Sequence, residues 1–181
     1  MFDDARSKQL VLVSHCILNQ NAISDGTADY PGTFEDVLRI LMDKKVGILQ
    51  MPCPELQCLG LDRGDIAGSQ RAVVEENTRI RQALLADNNL EKIDVLVENV
   101  FYQIKEYQKN GFNIVGIIGV DRSPSCGIHT TSEKNMEVEG RGVFMDRLTD
   151  ALKKDGIVIK MVGVKTSKVE DAVLQVKALL A

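Results

Sequence analysis

Short apolar runs alternate along the chain with longer stretches in which apolar residues recur every three or four positions. The runs are Leu10-Val11-Leu12-Val13, Val46-Gly47-Ile48-Leu49-Gln50-Met51, Phe112 to Val120 and Ile157 to Val164. They are short and rich in β-branched residues, which predicts strands. The run Ile114-Val115-Gly116-Ile117-Ile118-Gly119-Val120 carries no charge, as expected of a central strand buried on both faces. Helical spacing marks Thr33 to Met42, with Thr33 as N-cap and Asp36 as its capping-box partner. It recurs from Ser69 to Ala86, through Val73, Ile80 and Leu84. From Asn88 to Asn110 the stripe of Ile93, Leu96, Val97, Val100, Phe101, Ile104 and Tyr107 is broad, and Gly111 ends it. Further helices are predicted from Val143 to Lys154 and from Lys168 to Leu180, the latter capped by Ser167. Asn19 to Gly32, Pro52 to Gly68 and the polar stretch up to Glu139 read as loops. The order β-α-β-α-α-β-α-β-α predicts one α/β domain over 1–181. It would be a three-layer, doubly wound, Rossmann-like fold with a mostly parallel sheet of about four or five strands flanked by helices.

A chain of 181 residues suits one domain. The formal charge of −4 is mild and argues against broad binding to a nucleic acid backbone. No apolar stretch approaches the ~20 residues that span a bilayer. The start, Met1-Phe2-Asp3-Asp4, lacks the basic and apolar segments of a secretory signal, so the chain reads as cytoplasmic. In that compartment the four cysteines, Cys16, Cys53, Cys58 and Cys126, stay reduced, and metal binding or reactivity is favoured over disulfides.

Three of these cysteines sit in short motifs directly after strand-like runs: Ser14-His15-Cys16, Pro52-Cys53-Pro54-Glu55 and Ser123-Pro124-Ser125-Cys126-Gly127. If the runs are neighbours in a parallel sheet, all three thiols emerge at the edge where open α/β sheets build their sites. The prolines flanking Cys53 predict a rigid, extended loop in which Cys53 and Glu55 point the same way. A carboxylate there could act as proton donor or base. The last motif adds two hydroxyls, with Asp121 and Arg122 at its entrance. Other readings compete. Cys53 could be a buried thiol at a strand stop, and 123–127 an ordinary polar turn. The thiols lack the local Cys-x-x-Cys pairs of structural zinc, although His15 and His129 could complete a mononuclear site. With Cys58 as fourth ligand an iron–sulfur cluster would be closed; with three thiolates one iron is open. The glycines at 26, 60, 64, 140 and 142 match neither the phosphate loop nor the dinucleotide fingerprint.

At these residues the chain resembles the thiouracil desulfidase (TudS) family, long catalogued as a domain of unknown function. The resemblance runs from Ser-x-Cys at 14–16, with Asp25-Gly26 downstream, through Cys53-Pro54-Glu55 and Ser-Pro-Ser-Cys-Gly at 123–127. It continues to Gly140-Arg141-Gly142-Val143 before a helix. It implies a 4Fe–4S cluster on Cys16, Cys53 and Cys126, with a fourth iron free for the sulfur of a thiolated uracil. Water then replaces sulfur at carbon without net redox change. Glu55 would be the acid/base carboxylate. Ser123, ahead of Ser125, would place substrate or relay a proton. The chain departs from the usual pattern at Ile17-Leu18-Asn19-Gln20-Asn21 and at Leu56 to Arg63, which marks a divergent subgroup. The expected activity is hydrolytic C–S cleavage of a small thiolated base or nucleoside, with neither nucleic acid nor membrane as partner. A non-catalytic cluster- or metal-binding sensor using the same cysteines is the alternative, and a cofactor-free hydrolase or ligand binder a third reading. The wide apolar face of the 91–110 helix fits either a homodimer contact or core packing.

Overall fold

A computed structural model describes residues 2–181. Four strands make a fully parallel sheet: β1 (Gln9–Ser14), β2 (Gly47–Met51), β3 (Asn113–Val120) and β6 (Met161–Val164), in the order β2-β1-β3-β6. Alternation along β1 sends Leu12 to one face and Val11 and Val13 to the other. On the first face Leu12 and Ile117 pack against Ile80 and Leu84 of α4 (Val73–Leu84), Ile93 to Ile104 of α5 (Asp87–Lys109), and Phe144 and Leu148 of α6 (Val143–Lys154). On the second, Val11, Val13 and Ile118 meet Val37 and Leu41 of α2 (Glu35–Asp43) and Ala172 and Val176 of α7 (Val169–Leu179). Helices on both faces of a parallel sheet give the expected Rossmann-like three layers. Among the described residues no helix is long and apolar enough to cross a membrane.

Several local expectations are corrected. Thr33 does not cap α2; Phe34 occupies that position without a side-chain cap, and Asp36 instead accepts from the Tyr30 hydroxyl at 2.8 Å. Ser167 likewise does not cap α7, whose N-cap is Lys168. The fourth strand is only Met161–Val164, and Val158 before it is 95% exposed. The stretch read as a long loop holds a helix, α3 (Pro54–Leu59). The polar stretch after Cys126 folds into a hairpin, β4 (Thr130–Glu133) and β5 (Met136–Glu139). Its turn places Lys134 and Asn135 both at positive φ, 53° and 60°, the geometry of a type I′ turn.

The chain leaves β1 outward to β2 and then returns to place β3 on β1's other side. The switch in direction therefore lies between β1 and β3, where open α/β sheets leave a crevice beyond the strand ends.

Candidate active site

Each motif cysteine occupies a different local structure at that crevice. Cys16 is in the first turn of α1 (His15–Leu18), which begins where β1 ends. Cys53 is the N-cap of α3, and its sulfur accepts from Leu56 N at 3.5 Å. Pro54 starts the helix, a position where proline's missing N–H and fixed φ suit helix entry. The expected extended loop is thus a helix start, and Glu55 enters the site from its first turn.

Cys126 sits in a tight loop after β3. Ser123 Oγ accepts from Ser125 N at 3.3 Å and from Cys126 N at 3.0 Å. The opening N–H groups of α6, which lack partners within the helix, bond to this loop: Val143 N to Pro124 O at 2.9 Å and Phe144 N to Ser125 O at 3.1 Å. The contact is so close that a Cβ on Gly142 would stand 2.6 Å from Cys126 N. Asp121, expected at the site entrance, anchors the loop, its Oδ1 accepting from Ile128 N at 3.1 Å and His129 N at 2.9 Å.

A cavity of about 200 Å³ opens over these elements, lined by Cys16, Cys53, Cys126, Glu55, Ser123 and Ser125 among others. Glu55 is 5% exposed. Its Oε1 accepts from Ser125 Oγ at 2.6 Å and Ser123 Oγ at 3.4 Å. Its Oε2 accepts from Arg63 Nε at 3.0 Å and Ser24 Oγ at 3.1 Å. Ser125 therefore makes the shorter contact with the carboxylate, while Ser123 chiefly shapes the loop.

The thiols are free and perturbed in one direction. Burial pushes Cys53 up to about 11 and Cys126 up to about 12. Burial also raises Cys16 well above the ordinary thiol range, reinforced by the charges of Cys126, Cys53 and Glu55. The three groups thus feel one another, and three bare thiolates here would repel. A positively charged metal core would relieve that repulsion, and metal binding would displace the thiol protons. Beside them Ser14 Oγ is buried without a hydrogen-bond partner among the described residues, close enough to Cys126 to favour its charged form.

Among the described residues no three His, Cys, Asp or Glu side chains stand close enough to hold a single metal ion. A mononuclear site completed by His15 and His129 is not formed. The His129 side chain is exposed and pairs with Asp121 at 3.2 Å, although His15 does line the cavity. Separated soft thiols fit a multi-iron cluster better, because each thiolate then binds a different iron. Cys58 falls outside the group: it packs at the hydrophobic cluster below α3, with its sulfur 3.9 Å from Asn89 O.

No protein-family model matches the chain. The uncharacterized protein MJ0003 of Methanocaldococcus jannaschii is 30% identical over 157 residues, covering 87% of this chain and 86% of that protein. The chain belongs to the family of that archaeal protein. It is also similar to a solved structure, the 4Fe–4S-dependent thiouracil desulfidase TudS, at 16% identity and a TM-score of 0.40. That likeness covers 94% of this chain and 99% of the other. So loose a superposition carries no argument about the site, which stands on this chain's own residues.

Sequence reasoning missed two partners of Glu55. Ser24 lies in the polar stretch before α2, and Arg63 lies between Gly60 and Gly64 in a segment without periodicity. The signal for Arg63 was a lone arginine bracketed by glycines eight residues after Glu55, which becomes informative only once α3 turns the chain back.

Proposed function

We propose that this protein is an iron–sulfur-dependent desulfidase that removes sulfur hydrolytically from a thiolated pyrimidine base or nucleoside. The observation that carries the reading is the convergence of three strand-end thiols and one ion-paired carboxylate on a single cavity. Cys16, Cys53 and Cys126 would hold a 4Fe–4S cluster and leave one iron without a protein ligand. When bound, that cluster supplies a Lewis acid with affinity for soft thiocarbonyl sulfur.

The chain's own residues handle the water. Glu55 Oε1 accepts a proton from the attacking water, and Ser125, hydrogen-bonded to that oxygen at 2.6 Å, passes protons between carboxylate and substrate. Ser123 holds the Cys126 loop and lines the cavity beside them. Overall, the water oxygen bonds to the ring carbon and the carbon–sulfur bond breaks. Both water protons leave with sulfur as hydrogen sulfide, and no oxidant or reductant is consumed. Placement of Cys58 away from the cavity favours an open cluster over the closed, four-cysteine one that a sensor would use.

The test is anaerobic reconstitution followed by incubation with 4-thiouracil. Loaded protein should release sulfide and uracil, and cluster-free protein should not. A fully loaded protein that releases neither overturns the desulfidase reading in favour of the sensor.

A further inference from the structure

Arg63 is 3% exposed, and its bond to Glu55 is the most deeply buried ion pair among the described residues. A guanidinium has five N–H donors in a fixed fork, and here every one has an acceptor. Nε donates to Glu55 Oε2 at 3.0 Å. Nη1 donates to Gly60 O at 3.1 Å and Leu61 O at 2.9 Å. Nη2 donates to Ala22 O at 2.5 Å and to Cys53 Sγ at 3.9 Å. The residue is held in the left-handed region at φ +56°, where non-glycine residues are uncommon, and its carbonyl is tied down by Arg79 Nη2 at 2.9 Å. One side chain therefore joins the segment before α2, the loop after α3, the Cys53 arm and the carboxylate.

We propose that Arg63 is a positioning residue of this site, gripping Glu55 Oε2 from the cavity wall so that Oε1 stays on Ser125. The proposal rests on the reading of Glu55 as the group that handles the water. Arg63 exchanges no proton in the reaction; it acts by restricting the carboxylate to one orientation. Displacements of about 1 Å in a reacting group cost roughly a hundredfold in rate. Lysine does not substitute, because its three donors radiate from one atom and cannot span acceptors on three chain segments.

The experiment compares reconstituted wild type, Arg63→Gln and Arg63→Lys by iron content, kcat and KM for 4-thiouracil. The expected result is iron content equal to wild type, KM within about threefold and kcat reduced about a hundredfold in both variants. Lysine keeps a positive charge against Glu55, so that variant serves should the glutamine variant fail to fold. Unchanged kcat in either variant overturns the proposal. So does a loss of kcat matched by an equal loss of iron, which would make Arg63 a cluster-retention residue. Loaded wild type without turnover overturns the desulfidase reading itself, and the role of Arg63 falls with it.

Discussion

Ser125 Oγ donates to Glu55 Oε1 at 2.6 Å, although seventy residues separate them. The contact joins the loop after β3 to the first turn of α3, and so brings the Cys126 and Cys53 arms to one cavity.

The two serines should therefore separate in their effects. Ser125→Ala removes the short bond to the carboxylate and is expected to lower kcat roughly tenfold or more with the cluster retained. Ser123→Ala removes the acceptor of two backbone N–H groups. Leaving buried donors unpaired costs about 1–3 kcal/mol each, so this variant should lose iron faster to a chelator. Kinetics and chelation time courses on both variants would expose equal behaviour, which this division of labour does not allow.

Glu55 should matter for folding as well as for chemistry. Its removal leaves the buried Arg63 guanidinium without its only carboxylate, with backbone carbonyls and Cys53 Sγ as its remaining acceptors. Breaking a buried ion pair in this way costs about 3–5 kcal/mol. Glu55→Ala is expected to lower the urea midpoint sharply in cluster-free protein, whereas Glu55→Gln keeps acceptor and shape and falls much less. Sulfide release should drop in both. A Glu55→Ala protein as stable as wild type would show that the remaining acceptors or solvent suffice for the Arg63 charge.

Acid should act through Glu76. It lies between Arg79 and Arg71, with Oε1 2.5 Å from Arg79 Nη2 and Oε2 2.9 Å from Arg71 Nη1. The hydrogen bond from Arg79, aided by Arg71 and opposed by burial, holds its carboxyl below the usual 4.5. A carboxyl depressed in the folded state stabilises fully above its unfolded value, and that stabilisation is lost as pH falls through the folded value. The denaturation midpoint should decline below about pH 4.5. Glu76→Gln should begin lower and decline less steeply over the same window. Parallel curves for the two proteins would remove Glu76 from the acid response.

Much of the frame was legible from local pattern. β1, β2 and β3 are short apolar runs whose burial is decided by β-branched and leucine side chains, and the 3.6-residue stripe of α5 is long enough to be unambiguous. The thiols emerge at one edge because each belongs to the short motif that follows such a strand. What failed depended on context. In sequence Pro54 suggests a stiff, extended segment, yet proline is equally suited to the first helical position, and Cys53 Sγ accepting from Leu56 N favours that outcome. The hairpin β4–β5 was hidden by its polar strands and by a turn built on Lys134 and Asn135 without glycine. Ile157 to Lys160 look like strand but lie outside β6, with Val158 exposed. Arg63 and Ser24 have no local signature at all; they are recognisable only from the carboxylate that they share.

The central claim is that Cys16, Cys53 and Cys126, without Cys58, hold an iron–sulfur cluster beside Glu55. Its most direct test is iron and sulfide analysis after anaerobic reconstitution of wild type and of each Cys→Ala variant. Wild type and Cys58→Ala are predicted to bind about four iron and four sulfide per chain, while Cys16→Ala, Cys53→Ala and Cys126→Ala bind little. A wild type that takes up no cluster, or a Cys58→Ala variant as empty as the other three, would contradict it.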